Sequence, residues 1–223
     1  MIQAVVFDFN GTMFLDSPLH ERVWIEMAAT LRQKPLGIDE FYANLQGRTN
    51  YQIIKYLLGR EPDAAELERI TEEKELTYRT RCAAPGGLFD LAPGVEDFLN
   101  QLKPTNVPFT IATGSYRPNV EFYFSHLGLS KWFDFQKVVY DDGTYPGKPA
   151  PDIFLKAAEV LGVKPQNCLV FEDSYAGIRS AVAAGIGRIV AVEPTLDTAK
   201  VAEIGNVYQL RDGFEGLTLD VLK

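Results

Sequence analysis

Four short, largely apolar runs punctuate the chain: Ala4-Val5-Val6-Phe7, Phe109-Thr110-Ile111-Ala112, Cys168-Leu169-Val170-Phe171 and Ile189-Val190-Ala191-Val192. Each is too short for a helix and lacks the alternation of a half-exposed strand, which predicts strands buried on both faces of a parallel sheet. A different period fills the interval after the first run. Trp24, Met27, Ala28 and Leu31 fall at i, i+3, i+4 and i+7, and the clusters Ile53-Ile54-Leu57-Leu58 and Leu67-Ile70-Leu76 continue the helical repeat to about Arg81. Further on, Phe154, Ala157, Ala158 and Leu161 mark one core-facing helix and the stretch from Ile178 to Ala184 another.

The helical stretch ends in two Pro/Gly clusters, Ala84-Pro85-Gly86-Gly87 and Ala92-Pro93-Gly94, after which strands and helices alternate. The predicted architecture is α/β, with a doubly wound, Rossmann-like parallel sheet as the core and a small helical cap domain inserted in it. The core takes residues 1–14 and 85–223, and the cap takes 15–84. The linkers from Phe14 to Ser17 and from Pro85 to Leu91 are the predicted hinges.

A chain of 223 residues, 46% hydrophobic and 23% charged, is long enough for one large domain and one small insert. Its net charge of −8 and its lack of any Lys/Arg run argue against a nucleic-acid partner. The N-terminus enters the first strand without a basic, then apolar leader, and no segment is long enough to span a bilayer. Cys82 and Cys168 lack metal-ligand spacing and are read as reduced thiols. The expectation is a cytoplasmic protein, a monomer or weak homodimer, with no membrane partner.

The chemistry lies at the strand ends. Asp8 follows the first run and opens Asp8-Phe9-Asn10-Gly11-Thr12, while Glu172-Asp173 follows the third and leads into Ser174-Tyr175-Ala176-Gly177-Ile178. Open α/β sheets place ligands at these carboxyl ends, and hard oxygen donors converging there suit Mg²⁺, which in turn suits phosphate. The second run ends in Thr113-Gly114-Ser115, whose hydroxyls and backbone can hydrogen-bond an anion. Lys148 is fixed between glycine and prolines in Gly147-Lys148-Pro149-Ala150-Pro151-Asp152. Singly, each has an ordinary reading: a capping Asp or Thr, a solvated Lys.

Taken in order, Asp8, Thr113, Lys148 and Glu172-Asp173 resemble the signature of the haloacid dehalogenase-like superfamily, and the chain is similar to its β-phosphoglucomutase-like branch over essentially its whole length. The resemblance implies a phosphohydrolase in which Asp8 attacks phosphorus and becomes an aspartyl phosphate. It further implies that Mg²⁺ is held by Asp8, the backbone carbonyl of Asn10 and Asp173, with Glu172 close by, and that Thr113 and Lys148, helped by Gly114 and Ser115, hold the phosphoryl oxygens. The implied substrate is a small phosphorylated metabolite, a sugar phosphate among the candidates.

Asn10 departs from the pattern. The family's phosphatases and phosphomutases place a second Asp there to protonate the leaving group and then activate the incoming oxygen, and an amide does neither. An engineered trap, a natural variant with a substitute acid, a substrate whose leaving group needs no acid, and a phosphate- and Mg²⁺-binding protein of little turnover all fit the sequence. His20, in Asp16-Ser17-Pro18-Leu19-His20-Glu21 at the start of the cap, is the best substitute acid, since imidazoles titrate near neutrality. A histidine that only packs the hinge fits equally well. Leu45-Gln46-Gly47-Arg48-Thr49-Asn50 reads as a specificity loop, with Gln46, Arg48 and the later Lys74 as candidate substrate contacts. As exposed helix charges, Arg48 and Lys74 would do nothing. Ser115-Tyr116-Arg117-Pro118 lacks the lysine that β-phosphoglucomutases tend to carry there, which places a phosphomutase second to a phosphatase.

Overall fold

A computed structural model describes residues 1–46, 48–88, 90–193 and 196–223. The chain opens with strand β1 (Ala4–Phe7) and continues through helices α1 (Ser17–Arg32), α2 (Ile38–Asn44), α3 (Asn50–Leu58) and α4 (Ala64–Cys82). Helix α5 (Val95–Leu102), β2 (Phe109–Tyr116), α6 (Arg117–Leu127), β3 (Val139–Asp141), α7 (Asp152–Leu161) and β4 (Cys168–Glu172) follow. The last elements are α8 (Tyr175–Ala183), β5 (Arg188–Val192), α9 (Thr198–Ile204) and β6 (Val207–Arg211).

The six strands form one parallel sheet in the order β3-β2-β1-β4-β5-β6. This is the doubly wound order, in which the chain works outward from β1, crosses back, and works outward again from β4. The change of direction leaves a crevice beyond the carboxyl ends of β1 and β4. Residues of β1 and β4 are buried throughout, as strands covered by helices on both faces require. Phe7 and Phe171, paired in register across these strands, stack 5.2 Å apart at 7°. Phe98 and Phe214 complete an aromatic cluster around them, at 6.2 Å from Phe7 in each case. On the other face, Phe154, Ala157 and Ala158 of α7 and Ile178 and Ala181 of α8 pack with Val6 and Val170.

Contacts divide the chain into two compact units, residues 1–15 with 90–223, and residues 16–89. The boundaries shift from those drawn on the sequence by one residue at the first linker and five at the second. Asp16 belongs with the cap because it is fully buried among that unit's side chains. The cap's apolar core gathers Trp24 and Ala28 of α1, Phe41 of α2, Ile53, Ile54 and Leu57 of α3, and Ile70 of α4. Thr49 closes the start of α3 with a capping box, its side chain accepting from the Gln52 N–H while the Gln52 side chain accepts from Thr49.

Two elements differ from the sequence reading. Thr113-Gly114-Ser115 lies inside β2 rather than beyond it, because β3 continues the ladder by pairing with Ala112, Thr113 and Tyr116 across an irregular register. The short strands β3 and β6, at the sheet's two edges, lack the apolar runs that mark the central strands. Gly47, in the predicted specificity loop, and Phe89, in the second predicted hinge, lie outside the described residues. No helix among the described residues is long and apolar enough to cross a membrane.

Candidate active site

Asp8 is the first residue past β1, and its backbone N–H extends the pairing with β4 by donating to the Phe171 carbonyl at 3.0 Å. The chain then turns sharply. Gly11 adopts φ +83° and its N–H donates to the Phe14 carbonyl at 2.7 Å, a left-handed turn that favours glycine. The turn brings Thr12 back so that its hydroxyl donates to Asp173 Oδ1 at 3.1 Å. Glu172, the last residue of β4, and Asp173, the first beyond it, meet Asp8 across the crevice. One carboxylate oxygen from each of Asp8, Glu172 and Asp173 lies within 4.8 Å of the others.

Lys148 enters from the loop before α7. Its ammonium donates to Asp8 Oδ1 at 2.5 Å and to Glu172 Oε2 at 2.6 Å, and it lies 5.1 Å from the centre of the Phe154 ring. Burial, reinforced by the Glu172 charge, pushes the Asp8 carboxyl up to about 7 despite the opposing Lys148. The Asp173 carboxyl is raised well above its ordinary range by burial and by its two acidic neighbours. The two carboxylates hold the Lys148 ammonium above its ordinary value, outweighing a burial effect of opposite sign. One ammonium thus faces three carboxylates in a buried crevice. This donor set of hard oxygens, carrying surplus negative charge, fits a divalent cation.

Glu172 is held by residues the sequence reading did not single out. Ser174 donates to Glu172 Oε1 from its hydroxyl at 2.7 Å and from its N–H at 3.1 Å, and caps α8 by accepting from the Gly177 N–H at 3.0 Å. A Cβ on Gly177 would stand 1.9 Å from Glu172 Cδ. Only glycine at that helix position leaves room for the carboxylate. The spacing Ser174-Tyr175-Ala176-Gly177 signals the cap; the close approach of Glu172 is a tertiary fact.

Asn10, Thr113 and Ser115 meet at the same end of the sheet. Asn10 Oδ1 accepts from the Thr113 hydroxyl at 3.0 Å and the Ser115 hydroxyl at 2.8 Å, and its Nδ2 donates to the Tyr123 hydroxyl at 2.9 Å. The Thr113 hydroxyl also accepts from the Ser115 N–H at 3.1 Å. Thr113 therefore directs its proton to Asn10 here. Gly114, between them, is exposed.

Within the cap unit, His20 and Lys74 are brought together. The Lys74 ammonium lies 2.7 Å from His20 Nδ1 and 2.7 Å from Glu75 Oε1, which also accepts from Asn50 Nδ2 at 2.8 Å. His20 Nε2 lies 3.2 Å from Asp16 Oδ2, which accepts from the Tyr78 hydroxyl, and the His20 ring stacks on Tyr78 at 3.9 Å. An ammonium at Nδ1 can only donate, so the imidazole accepts there and carries its proton on Nε2, facing Asp16. Lys74 is no exposed helix charge: it is 2% exposed, and burial lowers its pKa against the opposing pull of Glu75. Gln46 and Arg48 are exposed in the segment between α2 and α3.

Residues 2–185 match the haloacid dehalogenase-like hydrolases. The chain belongs to that family. Its fold superposes with a TM-score of 0.89, at 39% identity over 99% of this chain and 97% of the other, on a family IA, variant 3 hydrolase from Entamoeba histolytica. It superposes with a TM-score of 0.83, at 27% identity over the whole of both chains, on an Asp-to-Asn mutant of CbbY from Rhodobacter sphaeroides in complex with xylulose-1,5-bisphosphate. Hexitol phosphatase A of Escherichia coli is 30% identical over 205 residues, 91% of this chain and 88% of that protein. The chain spans only 46% of the length of another relative it matches, a chloroplastic 5-amino-6-(5-phospho-D-ribitylamino)uracil phosphatase of Arabidopsis thaliana. Family membership agrees with the resemblance read from the motifs, β-phosphoglucomutase-like neighbours included.

Proposed function

We propose that this chain is a Mg²⁺-dependent phosphatase acting on a small phosphorylated metabolite, with sugar phosphates as the first class to test. The observation that carries the reading is the buried cluster of Asp8, Glu172 and Asp173 against one lysine, with the Thr113–Ser115 hydroxyl edge on the neighbouring strand. Hexitol phosphatase A and the bisphosphate-bound CbbY mutant support the substrate class.

In this reading Asp8 is the nucleophile. Its carboxylate oxygen bonds to phosphorus as the bond from phosphorus to the leaving oxygen breaks, and water then hydrolyses the aspartyl phosphate to regenerate Asp8. Asp8, Asp173 and the Asn10 carbonyl, with Glu172 nearby, would hold Mg²⁺. Bound there, the cation would supply positive charge that offsets the repulsion of two anions, the Asp8 carboxylate and the phosphate. Lys148 holds Asp8 in place and adds a second positive charge at the phosphoryl oxygens.

The leaving group's proton is the open step. The Asn10 amide is tied to three hydroxyls and has no acidic proton to give, an observation that favours low turnover with poor leaving groups. His20 could serve only by releasing Asp16 or Lys74. A screen of phosphorylated metabolites with Mg²⁺ on this chain, on Asp8→Ala and on Asn10→Asp tests the reading. The expected result is activity that Asp8→Ala removes and that Asn10→Asp raises by roughly 10²-fold or more for alkyl esters and least for acyl phosphates. Silence of all three proteins across the screen would leave a phosphate- and Mg²⁺-binding protein. Bisphosphate formation from a sugar monophosphate would establish the phosphomutase alternative.

A further inference from the structure

Ser180 lies in the middle of α8 with none of its surface exposed, on a helix whose other buried residues are Gly177, Ile178 and Ala181. A buried hydroxyl is costly unless it is hydrogen-bonded, and a helical serine commonly satisfies itself on a carbonyl of the preceding turn. Ser180 turns elsewhere. Its hydroxyl donates at 2.6 Å to the carbonyl of Ala150, 30 residues earlier in the chain. Alanine at this position would favour the helix more and bury no polar group. The hydroxyl thus gives up helix propensity for a bond to another segment.

That segment is the loop that carries Lys148. Pro149 and Pro151 in it have no N–H, so the loop has few donors with which to fix itself. Its own turn joins the Ala150 N–H to the Gly147 carbonyl at 3.1 Å, and the Pro151 carbonyl starts α7 by accepting from the Phe154 and Leu155 N–H groups at 3.1 Å each. Ser180 fixes the Ala150 carbonyl between those points from the neighbouring helix. Two residues before that carbonyl, Lys148 donates to Asp8 Oδ1 at 2.5 Å and Glu172 Oε2 at 2.6 Å. Helix α8 reaches the same cluster from its first turn, where the Ser174 hydroxyl donates to Glu172 Oε1 at 2.7 Å. Ser174, Gly177 and Ser180 recur at three-residue spacing, which puts them on one side of the helix. One helix therefore holds Glu172 directly and the Lys148 loop by its carbonyl.

We propose that Ser180 is a positioning residue for Lys148, acting through the Ala150 carbonyl. The inference rests on the reading of Lys148 as a phosphoryl contact. Prolines stiffen the loop, and the bond to Ser180 sets where that stiff loop sits and so where the ammonium comes to rest. Helix α8 thereby gains a role in aligning the lysine with Asp8 that packing would not require.

Ser180→Ala keeps the helix and removes only the hydroxyl. Brief reductive methylation, read by peptide mass spectrometry, should modify Lys148 roughly three- to tenfold faster in Ser180→Ala than in the parent, the size of one neutral hydrogen bond. The exposed Lys103 and Lys131 should react alike in both proteins. Hydrogen exchange should quicken in residues 147–152 and keep the parent's rate along α8. Calorimetric affinity for inorganic phosphate with Mg²⁺ should fall by a similar factor, while affinity for Mg²⁺ alone should not fall, since Ser180 contacts none of the three acids. A merely structural serine would loosen α8 as a whole, Ser174 and Glu172 with it, so that exchange rises along the helix and Mg²⁺ affinity drops. That pattern, or unchanged Lys148 reactivity, overturns the proposal. Should Ser180→Ala fold poorly, Ser180→Cys offers a side chain of similar size with a weaker donor and should raise Lys148 reactivity in the same direction; no rise there also overturns it. A parent protein that neither binds nor releases phosphate would count against the proposed function alone, because Lys148 reactivity and loop exchange still decide the role of Ser180.

Discussion

Each unit of this molecule buries one lysine among acids, and the two arrangements differ in charge balance. In the core, Lys148 faces Asp8, Glu172 and Asp173, and burial, with the neighbouring acids adding to it, raises the Asp8 and Asp173 carboxyls. In the cap, Lys74 has Glu75 as its direct ion partner, His20 as an acceptor and Trp24 within 5.3 Å, while Oδ2 of the buried Asp16 accepts from the Tyr78 hydroxyl and lies 3.2 Å from His20 Nε2. Buried charge is tolerated when paired and hydrogen-bonded, and an unpaired surplus is relieved by proton uptake or by a further ion. The cap cluster sets one ammonium against two buried carboxylates, Glu75 and Asp16, that lie on different sides of His20, whereas the core brings three carboxylates together at one point. Burial by itself does not separate the two; the convergence of three carboxylate oxygens within 4.8 Å of one another in the core does.

The largest effect should come from Asp8→Ala. All phosphate release should disappear, by more than about 10⁴-fold, while the circular-dichroism spectrum stays that of the parent. Substantial residual turnover would remove the covalent mechanism and with it the main reason to set the core cluster apart. The cap cluster should answer the opposite way. Glu75→Gln leaves Lys74 buried without its counter-charge and should cost roughly 3–5 kcal/mol in urea unfolding of the cap, read by hydrogen exchange in α1 and α4. The double change Lys74→Met with Glu75→Leu should recover most of that loss. If Glu75→Gln is harmless, Glu75 is not the counter-charge that Lys74 requires.

The third test uses pH. The folded Asp8 carboxyl, at about 7 against an ordinary 3.8, binds more protons than the unfolded chain between those values. Its contribution to stability is therefore present at low pH and lost as pH rises from about 4 through 7, a fall on the order of a few kcal/mol in cation-free protein. Excess Mg²⁺ should flatten that fall, because bound cation favours the ionised acids. A melting temperature that ignores both pH and Mg²⁺ would contradict the imbalance. The smallest effect is predicted for His20→Ala. Loss of its contact with Lys74 and its stacking on Tyr78 should cost about 1–2 kcal/mol. If His20 also serves as acid, turnover with poor leaving groups should slow in the parent and much less in Asn10→Asp. Equal losses in both backgrounds would make His20 purely structural.

The sequence by itself determined the central strands, the helical insert and the order of Asp8, Thr113, Lys148 and Glu172-Asp173. These are local signals: apolar runs with no polar face, a 3.6-residue period, and acids placed where such runs stop. It also exposed Asn10, since an amide in place of a carboxylate is visible in one letter. The edge strands β3 and β6 escaped because most of their residues are only partly buried and they carry no run of apolar side chains. Lys74 read equally as a substrate contact or an exposed charge, because helical spacing reveals which face a residue shares but not what covers that face. Only the tertiary structure decided that Lys74 meets Glu75 and His20, that Gly177 makes room for Glu172, and that Tyr123 of α6 meets Asn10. His20 and Lys74 lie 54 residues apart along the chain and Asn10 and Tyr123 lie 113 apart, yet they meet at 2.7 and 2.9 Å, and a linear pattern does not specify such distances.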